Sequence, residues 1–459
     1  MLTEKNWRRS LFAVVLIAAF IFSAAAAGAQ THAPVSPPKT ATPLDIKEIR
    51  LDNGLRIFVL ERHSSPTFAG FYQFDVGGAM DPKGKSGIAH LLEHMMFKGS
   101  STIGTLDAQK EAELIARQSE LWRQLNAEQD RQDDPFDRAD PEKIAELNRR
   151  IHEITTEHKK LVIQNEYDEI MERAGSQGTN AGTDPDTTTY IVELPSNRLE
   201  FWFRMESDRL MNAVFRGFYS ERDVVSEERR ESYETSPDGL MYEAKRALLF
   251  TAHPYGGPVI GWPSDVARLT EEDARAYFTT HYSPSNCIMV LVGDVKASEV
   301  ERLARLYLGS WKRQEIPHRP FTAEPEQRGE RRRVVEFDAE PRISISWMTV
   351  REGGSDQYPL EILGSIFGGL WSSRLDKTVV QRERIATSVS AGNTAMRHGG
   401  YFSASASLAP GHDAAEVEKS IWREIKRVQD EGVTADELER AKVQIEAGRV
   451  SRLKSNLGL

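Results

Sequence analysis

Apolar residues recur along this chain in several rhythms, and each rhythm predicts a different element. Short alternating runs at 46–51, 55–60 and 68–76 read as strands, and Asn53-Gly54 between the first two marks a tight hairpin. The glycine-bearing stretch 77–87 then leads into an apolar-periodic helix over 86–97. Residues 106–172 differ in kind. They are dense in Glu, Gln, Arg and Lys, with apolar positions at helical spacing: Leu114, Leu121 and Leu125, then Ile144, Leu147, Ile151, Ile154 and Leu161. Pro135 and Pro141 break the pattern between the two groups. The expectation is an antiparallel helical hairpin projecting as an arm; the plainer alternative is an ordinary helix pair within the domain. Strand signals return at 180–194, helical ones at 198–212, 221–234 and 271–281, and 286–292 reads as a buried strand.

The polar stretch 312–333, with Pro317, Pro320 and Pro325, is the best linker candidate. Beyond it the order restarts. Strands are expected at 334–337 and 343–350, a helix at 358–367, Gly368-Gly369, strands at 385–393 and 401–408, and helices at 414–429 and 435–453. Strand, strand, glycine loop and helix loosely echo the first half. The expectation is therefore an α+β fold of two related domains. Each is an antiparallel-rich sheet packed with helices, the first carrying the helical insertion. The boundaries are 44–311 for the first domain, 312–333 for the linker and 334–459 for a second domain that ends inside a helix and reads as incomplete at its C-terminus.

Composition adds limits. With 459 residues, 39% hydrophobic and 28% charged, the chain is globular, and its formal charge of −10 argues against a nucleic-acid partner. Lys5, Arg8 and Arg9 precede an apolar run from Leu11 to Phe22 and the small residues Ala27-Gly28-Ala29. This is the pattern of a cleavable export signal over 1–29, with 30–43 a flexible lead-in. The run is short for a spanning helix, so a retained membrane anchor is the weaker alternative and no stable span is expected after processing. One cysteine, Cys287, cannot form an internal disulfide. Export without disulfides fits a periplasmic location.

The chemistry concentrates in His90-Leu91-Leu92-Glu93-His94. On a helix, His90 and His94 are four apart and share a face, so two neutral imidazoles can grip one zinc ion. Glu93 shares the face of His90 and can take a proton from a water on the metal. Roughly 0.02 chance matches to this His-x-x-Glu-His order are expected in such a chain, so the motif is informative. Its flanks (Ile88, Ala89, Leu91, Leu92, Met95, Met96 and Phe97) are apolar, which predicts a helix buried on most sides. A catalytic zinc needs a third protein ligand. The run 221–228 offers Glu221 and Glu228, two helical turns apart on one face, with Glu227 about 100° away. By itself such a run is more often a solvated charged helix.

With these residues the chain resembles the pitrilysin/insulinase family of metallopeptidases, including its mitochondrial-processing-peptidase-like bacterial members. The resemblance rests on 87–99, on Thr179-Asn180-Ala181-Gly182-Thr183 with Thr189-Tyr190, and on 221–228. It also rests on His253-Pro254-Tyr255-Gly256 and on Tyr282-Ser283-Pro284-Ser285-Asn286 leading to Val292-Gly293-Asp294. It implies one zinc per catalytic domain, held by His90, His94 and Glu228, with Glu93 as general base and Glu221 steering a histidine or the active-site water. It implies that Asn180 and Ala181 lie on a strand that pairs with an extended peptide substrate, and that a second family half or subunit, in a homo- or heterodimer, closes a chamber. Three departures stand out. The interval from His94 to Glu228 is longer than the family norm by the insertion. Val380 and Thr387 stand where substrate-gripping Arg and Tyr residues often occur. The chain ends before an expected final helix and strand. The implied activity is a zinc endopeptidase for unstructured peptides or short proteins; the alternative is a non-catalytic or partner-dependent assembly subunit of a peptidase complex.

Overall fold

The computed structural model describes residues 44–133, 137–317, 321–369 and 371–459. The expected export signal and lead-in lie outside the described residues. The described chain forms two compact units, Leu44–Glu330 together with Lys454–Leu459, and Arg331–Leu453.

The first unit is built on six strands: β1 (Ile46–Arg50), β2 (Arg56–Glu61), β3 (Thr67–Phe74), β4 (Gln177–Thr183), β5 (Thr188–Pro195) and β6 (Cys287–Gly293), in the order β1-β2-β6-β3-β5-β4. β1 and β2 form the hairpin at Asn53-Gly54, and Asn53 Nδ2 donates to the carbonyls of Leu308 and Trp311, so the turn is anchored as well as closed. β6 inserts between β2 and β3, parallel to the first and antiparallel to the second. Burial alternates along β5, with Thr188, Tyr190, Val192 and Leu194 inside, as expected for a sheet covered on one face. β6 is less enclosed than its apolar sequence suggested, because Ile288 faces outward.

Helices α1 (Ile88–Met95), α2 (Ala108–Asp133), α3 (Pro141–Lys159), α4 (Glu166–Arg173), α5 (Leu199–Met211), α6 (Phe218–Arg229), α7 (Pro237–Leu249), α8 (Pro263–Arg268), α9 (Glu271–His281) and α10 (Ala297–Leu308) complete this unit. One continuous core joins the sheet to α1, α4, α5, α6, α8, α9 and α10. Trp202 of α5 is fully buried and meets Phe68 of β3 edge-on, with ring centroids 6.1 Å apart. Truncating an aromatic side chain at such a position costs about 3–5 kcal/mol, so contacts of this kind hold the helix layer to the sheet.

Several sequence expectations change here. The strand signals at 180–194 resolve into a hairpin of β4 and β5. Its turn forms because the Asp184 carboxylate accepts the backbone N–H groups of Asp186 (2.6 Å) and Thr187 (2.7 Å). The helix break near Pro141 is where expected: Pro141 is the first residue of α3, and Asp140 caps it by accepting from Glu142 and Lys143. The projecting arm, however, gives way to its plainer alternative. α2 and α3 share the apolar seam Leu121, Leu125, Leu147 and Ile151, and α2 lies against the body. Trp122 stacks on Tyr219 of α6 with centroids 4.5 Å apart, and Asn126 bonds the carbonyl of Arg268. The narrow stripe was one helix's share of two interfaces.

Part of the polar stretch 312–333 lies along the first unit. The Glu324 carboxylate accepts from the backbone N–H groups of Ala252 (2.8 Å) and His253 (3.0 Å) and from the Thr251 hydroxyl (2.8 Å). Burial opposes its charge, but these donors outweigh it and hold the carboxyl at about 2 against an ordinary 4.5. The linkage sign is that of a depressed acid: its contribution to stability is present above about pH 4.5 and lost as pH falls towards about 2. Glu324→Gln is therefore expected to flatten the acid side of a thermal-stability profile over that window; an unchanged profile would contradict this.

The second unit carries β7 (Arg342–Thr349), β8 (Ala386–Met396) and β9 (Gly399–Leu408) in the order β7-β9-β8, with α11 (Gln357–Gly368), α12 (Ala414–Glu431) and α13 (Ala435–Arg452). Its central strand pairs antiparallel with both neighbours, as β5 does between β3 and β4, and α11 follows β7 as α1 follows β3. The two units are thus related α+β sheets. The strand expected at 334–337 does not form: the run pairs with no strand among the described residues, and Val334 remains 88% exposed. Residues Lys454–Leu459 return to the first unit, where Asn456 Nδ2 donates to the Thr67 carbonyl.

Candidate metal centre

α1 starts where the chain can turn sharply into the core. Gly87 takes a left-handed conformation (φ 89°), and a Cβ there would lie 2.5 Å from the Ile260 carbonyl oxygen, so no other residue fits. The Asp81 carboxylate then accepts the N–H groups of Gly87 (2.7 Å) and Ala89 (3.2 Å), satisfying donors that a helix start leaves free. Ile88, Ala89, Leu91, Leu92 and Met95 are all buried. The helix is enclosed except at His90 and His94, which stay partly exposed; Glu93, beside them, is buried.

α6 supplies the other half. Its start is set by Gly217, also left-handed. Two turns of helix carry Glu221 and Glu228 to the His face of α1. The Glu228 carboxylate lies 3.4 Å from His94 Nε2 and 3.7 Å from His90 Nε2. One donor atom from each of His90, His94 and Glu228 lies within 4.8 Å of the others. Glu221 accepts from His94 Nδ1 at 3.0 Å and pairs with Lys98 at 2.5 Å. Glu227 turns away to Arg230, as its helical angle predicted. Glu93 receives a 2.6 Å hydrogen bond from the Thr183 hydroxyl on β4.

This donor set suits zinc. Two imidazoles and a carboxylate are ligands of catalytic zinc, and tetrahedral bonds of about 2.0–2.1 Å put ligand atoms roughly 3.3 Å apart; Glu228 lies 3.4 and 3.7 Å from the two imidazole nitrogens, with the whole set within 4.8 Å. The bond from His94 Nδ1 to Glu221 leaves Nε2 pointing into the cluster, as a carboxylate behind a metal-bound histidine does. Among the described residues His90 Nδ1 is buried with no hydrogen-bond partner, while its Nε2 faces Glu228. Burial, and then the neighbouring His94, lower the His90 pKa to about 4; it is a neutral imidazole at pH 7. Burial opposes charge on His94, but Glu221 and Glu228 raise it to about 9, so a metal there displaces a proton. The bond from His94 lowers Glu228 against its burial. Burial works against ionising Glu221, and His94 and Lys98 outweigh it. Burial raises Glu93, partly offset by Thr183.

Asn180 and Ala181 lie on β4, opposite Ile191 and Tyr190 of β5. β4 is the last strand of its sheet, so its outer edge carries unpaired backbone groups among the described residues. The same strand holds Thr183 against Glu93. Thr183 and Lys98 stood inside the motifs quoted from the sequence, but their roles depend on β4 and α6 crossing α1, which no local spacing encodes. Thr183→Val removes the bond that favours the ionised Glu93. The Glu93 carboxyl of this variant is expected to titrate at higher pH than in wild type; an unmoved titration would contradict this.

Two family models match the chain: Insulinase (Peptidase family M16) over residues 58–133, and Peptidase M16 inactive domain over residues 268–445. Together they span more than half of it. The chain is 25% identical over 443 residues to a protein named zinc protease PqqE of Helicobacter pylori, covering 94% of this chain and 83% of that one. It superposes on the crystal structure of a protease from Helicobacter pylori with a TM-score of 0.73 at 24% identity, covering 90% and 87% of the two chains. It also superposes on the periplasmic protease PqqL from Escherichia coli, with a TM-score of 0.60 at 18% identity, covering 92% of this chain but 42% of that one. From these matches and its two-unit α+β fold, the chain belongs to the insulinase (M16) family of peptidases.

Proposed function

We propose that the protein is a zinc-dependent endopeptidase acting on unstructured peptides or short proteins, with His90, His94 and Glu228 as zinc ligands and Glu93 as general base. The observation that carries this reading is the convergence of the three donor groups from α1 and α6, with the Glu93 carboxylate on the same face. When bound, zinc polarises the scissile carbonyl and makes water a stronger acid. Glu93 takes the proton of the attacking water and returns it to the leaving amine; its burial keeps the carboxyl basic enough for both. Glu221 holds His94 in the tautomer that presents Nε2. The free edge of β4, at Asn180 and Ala181, takes the substrate as an added strand, reading backbone more than side chain. The test is zinc content with hydrolysis of a fluorogenic peptide library, with and without chelator. Stoichiometric zinc without turnover, even with a confirmed partner present, would defeat the reading.

A second reading is a non-catalytic assembly subunit. The match of residues 268–445 to a domain described as inactive favours keeping it, as does the rule that fold alone never fixes function. Full cellular function of Glu93→Gln would support it. A second family half or subunit completing the substrate chamber is part of the proposal, supported by the likeness of this chain to part of a longer protease. So is export to the periplasm, supported by the basic and apolar start of the sequence. Among the described residues no helix is long and apolar enough to cross a membrane. Cell fractionation and the N-terminal sequence of the purified protein would test the export claim; a retained residue 1 in the cytoplasm would refute it.

A further inference from the structure

The insertion over 106–172 reaches the back of the metal centre. Glu111, in the first turn of α2, is buried at 1% exposure and receives two bonds from Arg216, from Nε at 2.5 Å and Nη2 at 2.8 Å. His158, near the end of α3, approaches the same carboxylate at 3.0 Å. Arg216 is itself 3% exposed, and its remaining N–H groups bond the carbonyls of Lys98, Ser100 (2.9 Å) and Ile103 (3.0 Å). The loop after α1 is thus wrapped around the guanidinium. It passes so close at Gly104 (φ 95°) that a Cβ would sit 2.3 Å from Nη1.

Arg216 directly precedes Gly217, where α6 begins, and Lys98 follows α1 by three residues. The Arg216 guanidinium therefore ties the end of the helix bearing His90 and His94 to the start of the helix bearing Glu221 and Glu228. The carboxylate that fixes it comes from the insertion. A second contact supports the same helix. Trp122 of α2 stacks on Tyr219 at an interplanar angle of 14°, and Arg222 packs over Trp122 at 4.3 Å. Tyr219 lies about 160° around α6 from Glu221 at 100° per residue, so α2 backs the face opposite the ligands.

We infer that the inserted helices α2 and α3 are a positioning element for the metal centre, with Glu111 the positioning residue that acts through Arg216 on the spacing of α1 and α6. This rests on the proposed zinc site. Loss of partners behind a metal ligand weakens metal binding about 10–100-fold. Glu111 acts one step further back, so the lower end of that range is expected.

The test measures zinc affinity by chelator competition on the full chain, with kcat and KM on a peptide, for wild type, Glu111→Gln and Leu147→Ala. Leu147 lies in the α2–α3 seam with Leu121, Leu125 and Ile151 and carries no hydrogen-bonding group to Glu111 or Arg216. Glu111→Gln is expected to weaken zinc binding about tenfold and to lower kcat more than it changes KM. Leu147→Ala is expected to lower the melting temperature with zinc affinity unchanged. Zinc affinity of Glu111→Gln equal to wild type overturns the inference, and so does equal weakening in Leu147→Ala, since that would be a stability effect alone. Should Glu111→Gln fail to fold, Trp122→Leu is read by the same criteria. A wild type that takes up no zinc would instead bring down the proposed function itself.

Discussion

Glu93→Gln is expected to leave zinc bound and to lower kcat/KM by about 10²–10⁴-fold, the range that a positioned general base contributes. The substitution keeps the shape of the side chain and its contact with the Thr183 hydroxyl, which lies 2.6 Å from the carboxylate. It removes only the ability to accept and return a proton. Glu93 is not among the three residues whose donor atoms converge, so zinc content should match wild type. The two readouts must separate. A variant that loses zinc would make Glu93 a ligand, and one that keeps full activity would remove it from the chemistry.

Glu228→Gln is expected to do the opposite, losing zinc first and activity with it. The neutral amide that replaces the carboxylate is a far poorer partner for a dication, and neither neighbouring acid stands ready to replace it. Glu227 is turned outward to Arg230, and Glu221 is occupied by His94 Nδ1 and Lys98. The loss of affinity should exceed the about 10–100-fold that follows removal of an outer partner. Peptide hydrolysis should fall to background at any zinc concentration that does not precipitate the protein. Retained stoichiometric zinc in this variant would mean that the third ligand lies elsewhere.

How much of this was legible in the sequence follows from what is local. The His90–His94 helix was readable because both the period of its apolar residues and the spacing of its histidines are properties of one short segment. Helical arithmetic placed Glu221 and Glu228 on one face, but only the family resemblance singled out Glu228 as the third ligand; the tight turn at Asn53-Gly54 was readable from its dipeptide. Thr183 was not, because its hydroxyl meets Glu93 only once β4 is paired at the sheet edge beside α1. The projecting arm was misjudged for a related reason. Periodicity shows that α2 has an apolar stripe, but it does not show that Trp122, Gln118 and Glu111 are claimed by neighbours on other sides. Burial of Glu111 and Arg216 depends on their pairing across 105 positions, and two such charges read singly look like solvent-exposed residues. The expected strand at 334–337 failed because strand formation needs a partner ladder, which apolar alternation cannot supply.

The decisive measurement is the zinc content of the purified wild-type chain, taken with its peptide hydrolysis before chelation, after chelation and after zinc is restored. The predicted result is one zinc per chain, with hydrolysis lost on chelation and regained with zinc. Peptide hydrolysis that continues undiminished in metal-free protein would contradict it.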